Sequence, residues 1–174
     1  MKKVERDISV NRAENLKDQL LKARDKVVLE KLKIQNHFEL VKEIDGIQYI
    51  NDCHAIDLNA CMATIDQIEG PVIWIAYSPP MGRDLISMQS LIESKVKGLF
   101  CIGDGFEFAF DAFADKVELM VRVDDVEEAL LFSKKYASNG DTVLFSPGSP
   151  NYSFFENKKD WNNEFRSALT LIEK

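Results

Sequence analysis

The stretch VIWIAYSPPMGRDLISMQSLIESKVKGLFCIG, residues 72–103, contains the pattern that decides the fold. It opens with an apolar run at 72–78, continues through a helix-like segment from Leu85 to Lys95, and closes with a second apolar run at 98–103. Short runs of Val, Ile, Leu and Phe without polar alternation are typical of strands that are buried on both faces. The stretch therefore predicts a strand, a helix and a second strand parallel to the first.

The same alternation extends in both directions from this unit. Upstream, the turn signal Asp45-Gly46 separates FELVKEI from IQYIND, which predicts a β-hairpin. Downstream, either Asp124 or Asp125 is expected to cap the helix-like segment at 126–137. The whole pattern predicts an α/β fold, with a mostly parallel sheet and helices on both faces. The remaining segments are helix-like at 58–68, 106–114, 126–137 and 159–172, and strand-like at 117–123 and 142–148.

Residues 1–35 differ from the rest because they contain no Gly, Pro or aromatic residue. Apolar side chains such as Leu16, Leu20 and Leu21 recur there at helical spacing among charged residues. We therefore expect a helical arm over residues 1–35, followed by an α/β domain over residues 36–174. The apolar stripe of the arm must be buried either on its own domain or on a second copy of the chain, which would form a homo-oligomer.

Composition excludes several classes of protein. The net charge of −7 disfavours binding to a nucleic-acid backbone. The most apolar uncharged stretch, residues 70–82, is shorter than the ~20 residues of a membrane helix and is broken by Pro79 and Pro80. The N-terminus lacks the apolar segment of a signal peptide, so we expect a cytoplasmic protein without membrane contact. The three cysteines form no Cys-x-x-Cys pair, which argues against a thiolate metal site.

The candidate site follows from the expected topology, because ligands bind beyond the carboxyl ends of parallel strands. Loops at 52–57, 78–84, 103–105 and 146–152 should lie there. The loop at 103–105 lacks the third glycine of a dinucleotide fingerprint, and none of the eight glycines precedes Lys as in a Walker A loop. At the start of the first loop, Asn51 and Asp52 are expected to hold the chain through side-chain-to-backbone hydrogen bonds.

Two phrases resemble the C-terminal domain of the Mur ligases, in particular of the D-glutamate-adding type. NHFELVKEIDGIQYINDCHAID (36–57) is similar to the family's His-Arg-Phe-Glu, hairpin and Ile-Asn-Asp-Ser-Lys-Ala-Thr-Asn. DTVLFSPGSPNYSFFENKKDWNNEF (141–165) is similar to its Asp-Val-Val-Leu-Leu-Ser-Pro-Ala-Cys-Ala-Ser-Phe-Asp-Met-Phe. The resemblance implies a Rossmann-like domain that brings an amino acid to an acyl-phosphate, while ATP and Mg²⁺ sit mainly on a separate central domain.

The departures from the family pattern fall on the polar positions. His54 replaces the motif lysine, and Arg83 is the cation that the loop at 78–84 retains. Ser146 is kept in the last motif, whereas Asn151 replaces a substrate-contacting serine. We assign no catalytic and no metal-binding residue. The candidate ligand-binding residues are His54, Arg83, Ser146, Ser149, Asn151 and Tyr152.

These features lead to two functional expectations. The first is a stand-alone, divergent domain that binds a small anionic ligand, an amino acid or a UDP-muramoyl compound, without catalysis and without a cofactor of its own. The alternative is the amino-acid-binding half of a split ATP-dependent ligase, with the ATPase domain on a partner chain. In both cases we expect this chain to lack the phosphate loop and the central domain that phosphoryl transfer requires.

Overall fold

Residues 39–77, 83–149 and 161–173 are described by a computed structural model, with residues 83 and 84 described through their backbone. The predicted N-terminal arm lies outside these ranges, so its helix and its burial remain predictions.

A six-stranded sheet forms the centre of the domain, in the order β1-β2-β6-β3-β4-β5. β1 pairs antiparallel with β2, and all the other neighbouring strands are parallel. The mostly parallel sheet that the sequence predicts is therefore confirmed. The strands are β1 (Glu39–Ile44), β2 (Ile47–Asn51), β3 (Val72–Tyr77), β4 (Val96–Ile102), β5 (Leu119–Val123) and β6 (Thr142–Phe145).

The hairpin between β1 and β2 is closed by the predicted two-residue turn. Asp45 has φ 54° and Gly46 has φ 75°. Positive φ at both central residues is the type I′ geometry, whose twist matches that of the flanking strands. Asp-Gly is favoured there because Gly adopts this conformation freely and Asp tolerates it.

In the part of the chain that the structure describes, five helices cover the two faces of the sheet. One core cluster joins the sheet to α1, α2 and α3, and a second joins the opposite face to α4 and α5. This arrangement confirms the predicted helices on both faces. None of the helices in the described ranges has the length and apolarity needed to span a bilayer. The helices are α1 (Leu58–Gln67), α2 (Arg83–Lys95), α3 (Phe106–Phe113), α4 (Val126–Tyr136) and α5 (Trp161–Ile172).

Two aspartates fix where helices begin. Asp57 caps α1 by accepting a hydrogen bond from the Ala60 amide at 2.9 Å. Asp125 caps α4 by accepting one from the Glu128 amide at 2.8 Å. Each cap satisfies a backbone donor that the first helical turn leaves without an intrahelical partner. Of the two candidates for the α4 cap, the structure identifies Asp125.

Candidate functional site

Three parallel strands, β2, β6 and β3, end side by side at one edge of the sheet. Asn51, the last residue of β2, pairs with Phe145, the last residue of β6. The next residues continue the ladder, because the Asp52 amide donates to the Phe145 carbonyl at 2.8 Å and the Ser146 amide donates to the Ile75 carbonyl at 3.1 Å. The two phrases with family resemblance therefore meet at this edge.

Asp52 is fully buried at the point where these strands end. Its Oδ2 accepts hydrogen bonds from Thr64 Oγ1 at 2.5 Å and from Ser146 Oγ at 3.3 Å. Its Oδ1 has no hydrogen-bond partner among the described residues. Burial raises the pKa of Asp52 to about 7, and the two hydroxyl donors oppose that rise. The carboxyl group is thus held in a site that favours its neutral form.

Ser146 connects Asp52 to α1 and to β3. Its hydroxyl oxygen lies 2.9 Å from Cys61 Sγ, and its carbonyl accepts a hydrogen bond from the Trp74 indole nitrogen at 2.7 Å. Burial raises the pKa of Cys61 to about 12, so this side chain remains a thiol near neutral pH. A buried hydrogen-bond network therefore connects the side chains of Asp52, Thr64, Ser146 and Cys61.

The loop at 52–57 passes over this network and carries His54 at the surface. The Ala55 amide donates to the Asp52 carbonyl at 3.0 Å, and the Gly148 amide donates to the Ala55 carbonyl at 2.8 Å. His54 is exposed, as is the neighbouring Ile56. The backbone thus pins the loop to the segment after β6, while the His54 side chain faces outward.

The predicted ligand-binding residues have different positions in this structure. His54 is exposed, Ser149 is half-buried, and Ser146 is buried with its hydroxyl engaged by Asp52 and Cys61. The backbone of Arg83 begins α2, the helix that follows β3. Asn151 and Tyr152 lie outside the described residues. Ligand binding by this set remains a prediction.

The structure separates the roles predicted for Asn51 and Asp52. Asn51 holds the loop as expected, because its Oδ1 accepts a hydrogen bond from the Cys53 amide at 3.1 Å. The prediction for Asp52 was wrong, since its side chain bonds to the hydroxyl groups of Thr64 and Ser146 rather than to the backbone. The signal for this role was the position of a carboxylate directly after a buried strand, opposite a small polar residue on the buried face of α1.

The family's Mg²⁺ does not fit the described part of this edge. The described residues contain no group of three His, Cys, Asp or Glu side chains that could hold a metal ion. Asp52 is enclosed by Thr64, Ser146 and their neighbours, whereas Mg²⁺ prefers an octahedron of oxygens that includes several waters.

Comparisons with known proteins connect this geometry to a family. No family model matches the chain. UDP-N-acetylmuramoylalanine–D-glutamate ligases match it at 29% identity over 161 residues in Christiangramia forsetii and at 29% over 143 residues in Pelodictyon phaeoclathratiforme. These matches cover 90% and 82% of this chain but only 36% and 31% of the relatives. The chain thus spans about a third of the length of the relatives that it matches.

Solved structures show the same fold. A domain from a Haemophilus ducreyi protein described as a UDP-N-acetylmuramate:L-alanyl-gamma-D-glutamyl-meso-diaminopimelate ligase superposes with a TM-score of 0.51 at 18% identity, covering 75% of this chain and 98% of that one. A murein peptide ligase from Psychrobacter arcticus also gives 0.51, at 15% identity, covering 78% of this chain and 30% of that one. The predicted resemblance is confirmed: this chain is similar in sequence to the D-glutamate-adding Mur ligases, and its fold is that of the solved Mur-ligase domains.

Proposed function

We propose that this domain binds a small anionic ligand at the edge where β2, β3 and β6 end, and that it acts as a non-catalytic binding or accessory protein. One observation carries the proposal. The scaffold residues of the family motif, Asp52 and Ser146, are retained but are enclosed in an internal network, whereas the position of the motif lysine is an exposed histidine, His54. The scaffold of the edge is kept, and the fixed positive charge of the motif lysine is lost.

The electrostatics favour a weakly bound anion. The chain carries a net charge of −7, so a local field of opposite sign must come from the edge itself. Arg83 follows β3 in the chain and carries a fixed positive charge. His54 gains a positive charge as the pH falls below about 6.5. Binding should therefore strengthen on acidification, which would not be expected of a site built on a lysine.

D-Glutamate is the first ligand to test, because the relatives are named for adding it. We expect the purified protein to bind D-glutamate weakly at pH 6 and more weakly at pH 8, as measured by calorimetry. A variant with His54→Ala and Arg83→Ala should lose this binding. Lys116→Ala is the control, because Lys116 is a partly exposed cation, paired with Asp115, that follows α3 and lies away from the ends of β2, β3 and β6. Equal binding by the double variant and the control would contradict the proposal.

The same purified protein should neither bind Mg-ATP at micromolar concentrations nor hydrolyse it. None of its eight glycines precedes a lysine, and phosphoryl transfer depends on backbone donors, a cation and Mg²⁺ around the phosphates. ATPase turnover by the chain alone would contradict a purely binding role.

A second candidate is the amino-acid-binding half of a split ligase, with the ATPase domain on a partner chain. Similarity to D-glutamate ligases over 90% of this chain favours it. The chain can be mixed with a D-glutamate ligase from which the C-terminal domain has been removed, in the presence of ATP and the ligase substrates. Under the first proposal no amide product forms, whereas restored ligation would support the second.

A further inference from the structure

Asp52 connects three structural elements of the domain. It follows β2, its Oδ2 accepts a hydrogen bond from Thr64 on α1, and the same atom accepts one from Ser146 after β6. All three residues are fully buried. A single carboxyl group thus fastens the start of the loop at 52–57 to a helix and to the neighbouring strand end.

The two oxygens of the Asp52 carboxyl group have unequal surroundings. Oδ2 lies within hydrogen-bond distance of the hydroxyl groups of Thr64 and Ser146, whereas Oδ1 has no partner among the described residues. The neutral acid carries one proton, and loss of that proton leaves a buried negative charge whose described donors are two neutral hydroxyl groups at Oδ2. An incompletely satisfied charge is much more costly to bury than a neutral hydroxyl group.

Among the described residues, the groups around Asp52 offer its negative charge little compensation. On α1 the titratable neighbour is Cys61, whose raised pKa keeps it neutral, and Asp57 at the start of α1 is itself an acid. The groups supplied by β3 and β6 are the Trp74 indole and the Ser146 hydroxyl, which carry no charge. On its own loop, His54 lies at the surface.

We propose that Asp52 is a proton-controlled latch, which holds the loop at 52–57 against α1 and the segment after β6 when protonated and releases it when ionised. On ionisation the carboxyl O–H bond of Asp52 breaks, the proton passes to solvent, and the loop opens so that water can reach the carboxylate. Coupling of this latch to ligand binding rests on the proposed function, whereas the latch itself can be tested without a ligand.

The sign of the pH effect follows from proton linkage. The closed loop has an Asp52 pKa of about 7, whereas an opened, hydrated carboxyl group returns towards its ordinary value of 3.8. Between these two values the closed form holds a proton that the open form has lost. Opening should therefore become about tenfold more favourable for each pH unit in that window and should level off above pH 7.

Amide hydrogen exchange from pH 5 to 9 tests this, together with the ¹³C shift of the Asp52 carboxyl group. After correction for intrinsic exchange, we expect protection at the Ala55 and Gly148 amides to fall about tenfold per unit up to pH 7 and then to stay constant. Asp52→Asn should abolish the dependence. His54→Ala should preserve it, which separates the latch from histidine titration and from ligand binding.

Thr64→Val provides the test if Asp52→Asn does not fold. The Thr64 hydroxyl lowers the pKa of Asp52, so its removal should move the carboxyl titration, and the pH at which protection levels off, to higher values. A carboxyl group that titrates near pH 4, protection that does not follow its titration, or loss of the dependence in His54→Ala would each overturn the proposal.

Discussion

Gly148 has a backbone conformation that the candidate edge requires and that other residues adopt only with strain. Its φ is +74°, and a Cβ atom there would lie 3.2 Å from Cys61 Sγ and 3.4 Å from Leu58 Cδ2. Its amide also donates to the Ala55 carbonyl, which ties the loop at 52–57 to the segment after β6. Backbone freedom and close packing are therefore both needed at this one residue.

Gly148→Ala should lower the free energy of unfolding by about 2–3 kcal/mol, from left-handed backbone strain together with crowding of the core. Gly140→Ala is the matched control, because φ there is +93° but no atom lies within 4 Å of the added Cβ. It should cost about 1–2 kcal/mol, from backbone strain alone. Urea unfolding at constant pH measures both, and equal losses would show that the space around Gly148 is not restrictive.

Asp52 should also make the free energy of global unfolding depend on pH. Its pKa is raised from 3.8 to about 7, so the folded protein holds a proton that the unfolded chain has lost between these values. The free energy of unfolding should fall by about 1.4 kcal/mol per pH unit from pH 5 to 7, relative to Asp52→Asn, and the difference should stay constant above pH 7. Urea unfolding at several pH values would contradict this if the two proteins showed parallel pH profiles.

Single residues were predictable where their role is local. The Asp45-Gly46 turn and the loop-holding side chain of Asn51 depend on neighbours only one or two positions away. Asp52 depends on Thr64 and on Ser146, which is 94 positions distant, so its burial follows only from the strand order. Local pattern carries no information about that pairing.

The bounds of the helices and strands follow from the local sequence much more closely than the long-range contacts of Asp52 do. α4 begins where a capping aspartate precedes an apolar-periodic run, carries Glu127 and Glu128 in its first turn and has Lys134 and Lys135 in its last. These charges oppose the partial charges of the helix dipole. The predicted strand at 142–148 ends at Phe145 instead, because the chain after it turns through Pro147 and Gly148 to meet Tyr77 and Ala55.

The cap of α4 can be tested by a pair of adjacent substitutions. Asp125→Ala should destabilise the protein by about 1 kcal/mol, because the Glu128 amide loses its side-chain acceptor. Asp124→Ala should have a smaller effect, since Asp124 contributes its backbone amide, which donates to the Glu128 side chain, and this bond survives the substitution. Thermal unfolding of both variants measures these effects. A larger loss of stability for Asp124→Ala than for Asp125→Ala would contradict the assignment of Asp125 as the cap of α4.

At the scale of the whole molecule, the two core clusters on opposite faces of the sheet are formed by described residues of the domain itself. Fully buried side chains such as Trp74, Phe113 and Phe165 each contribute about 1.5–3 kcal/mol of hydrophobic stabilisation. We therefore predict that a fragment of residues 36–174 folds on its own and unfolds in one cooperative urea transition. A fragment that binds hydrophobic dyes and unfolds without a cooperative transition would show that the domain boundary is wrong.

The fold of the whole molecule was predictable because two phrases near opposite ends of the domain occur in the family's order and because the apolar segments alternate regularly. The ligand was not predictable to the same degree. Anion binding depends on the local field of a few side chains, and here the family's lysine position is His54 while the buried carboxyl group of Asp52 lies beneath it. The scaffold is therefore better determined than the chemistry at its surface.

We propose that the edge formed by the ends of β2, β3 and β6 binds a small anion. Titration of ¹⁵N-labelled protein with D-glutamate at pH 6, followed by amide chemical shifts, tests it most directly. We predict shifts concentrated in residues 52–57, in residues 146–149 and at the start of α2, and their loss when His54 and Arg83 are both changed to Ala. Shifts confined to α4 and α5, or a shift pattern unchanged in the double variant, would contradict it.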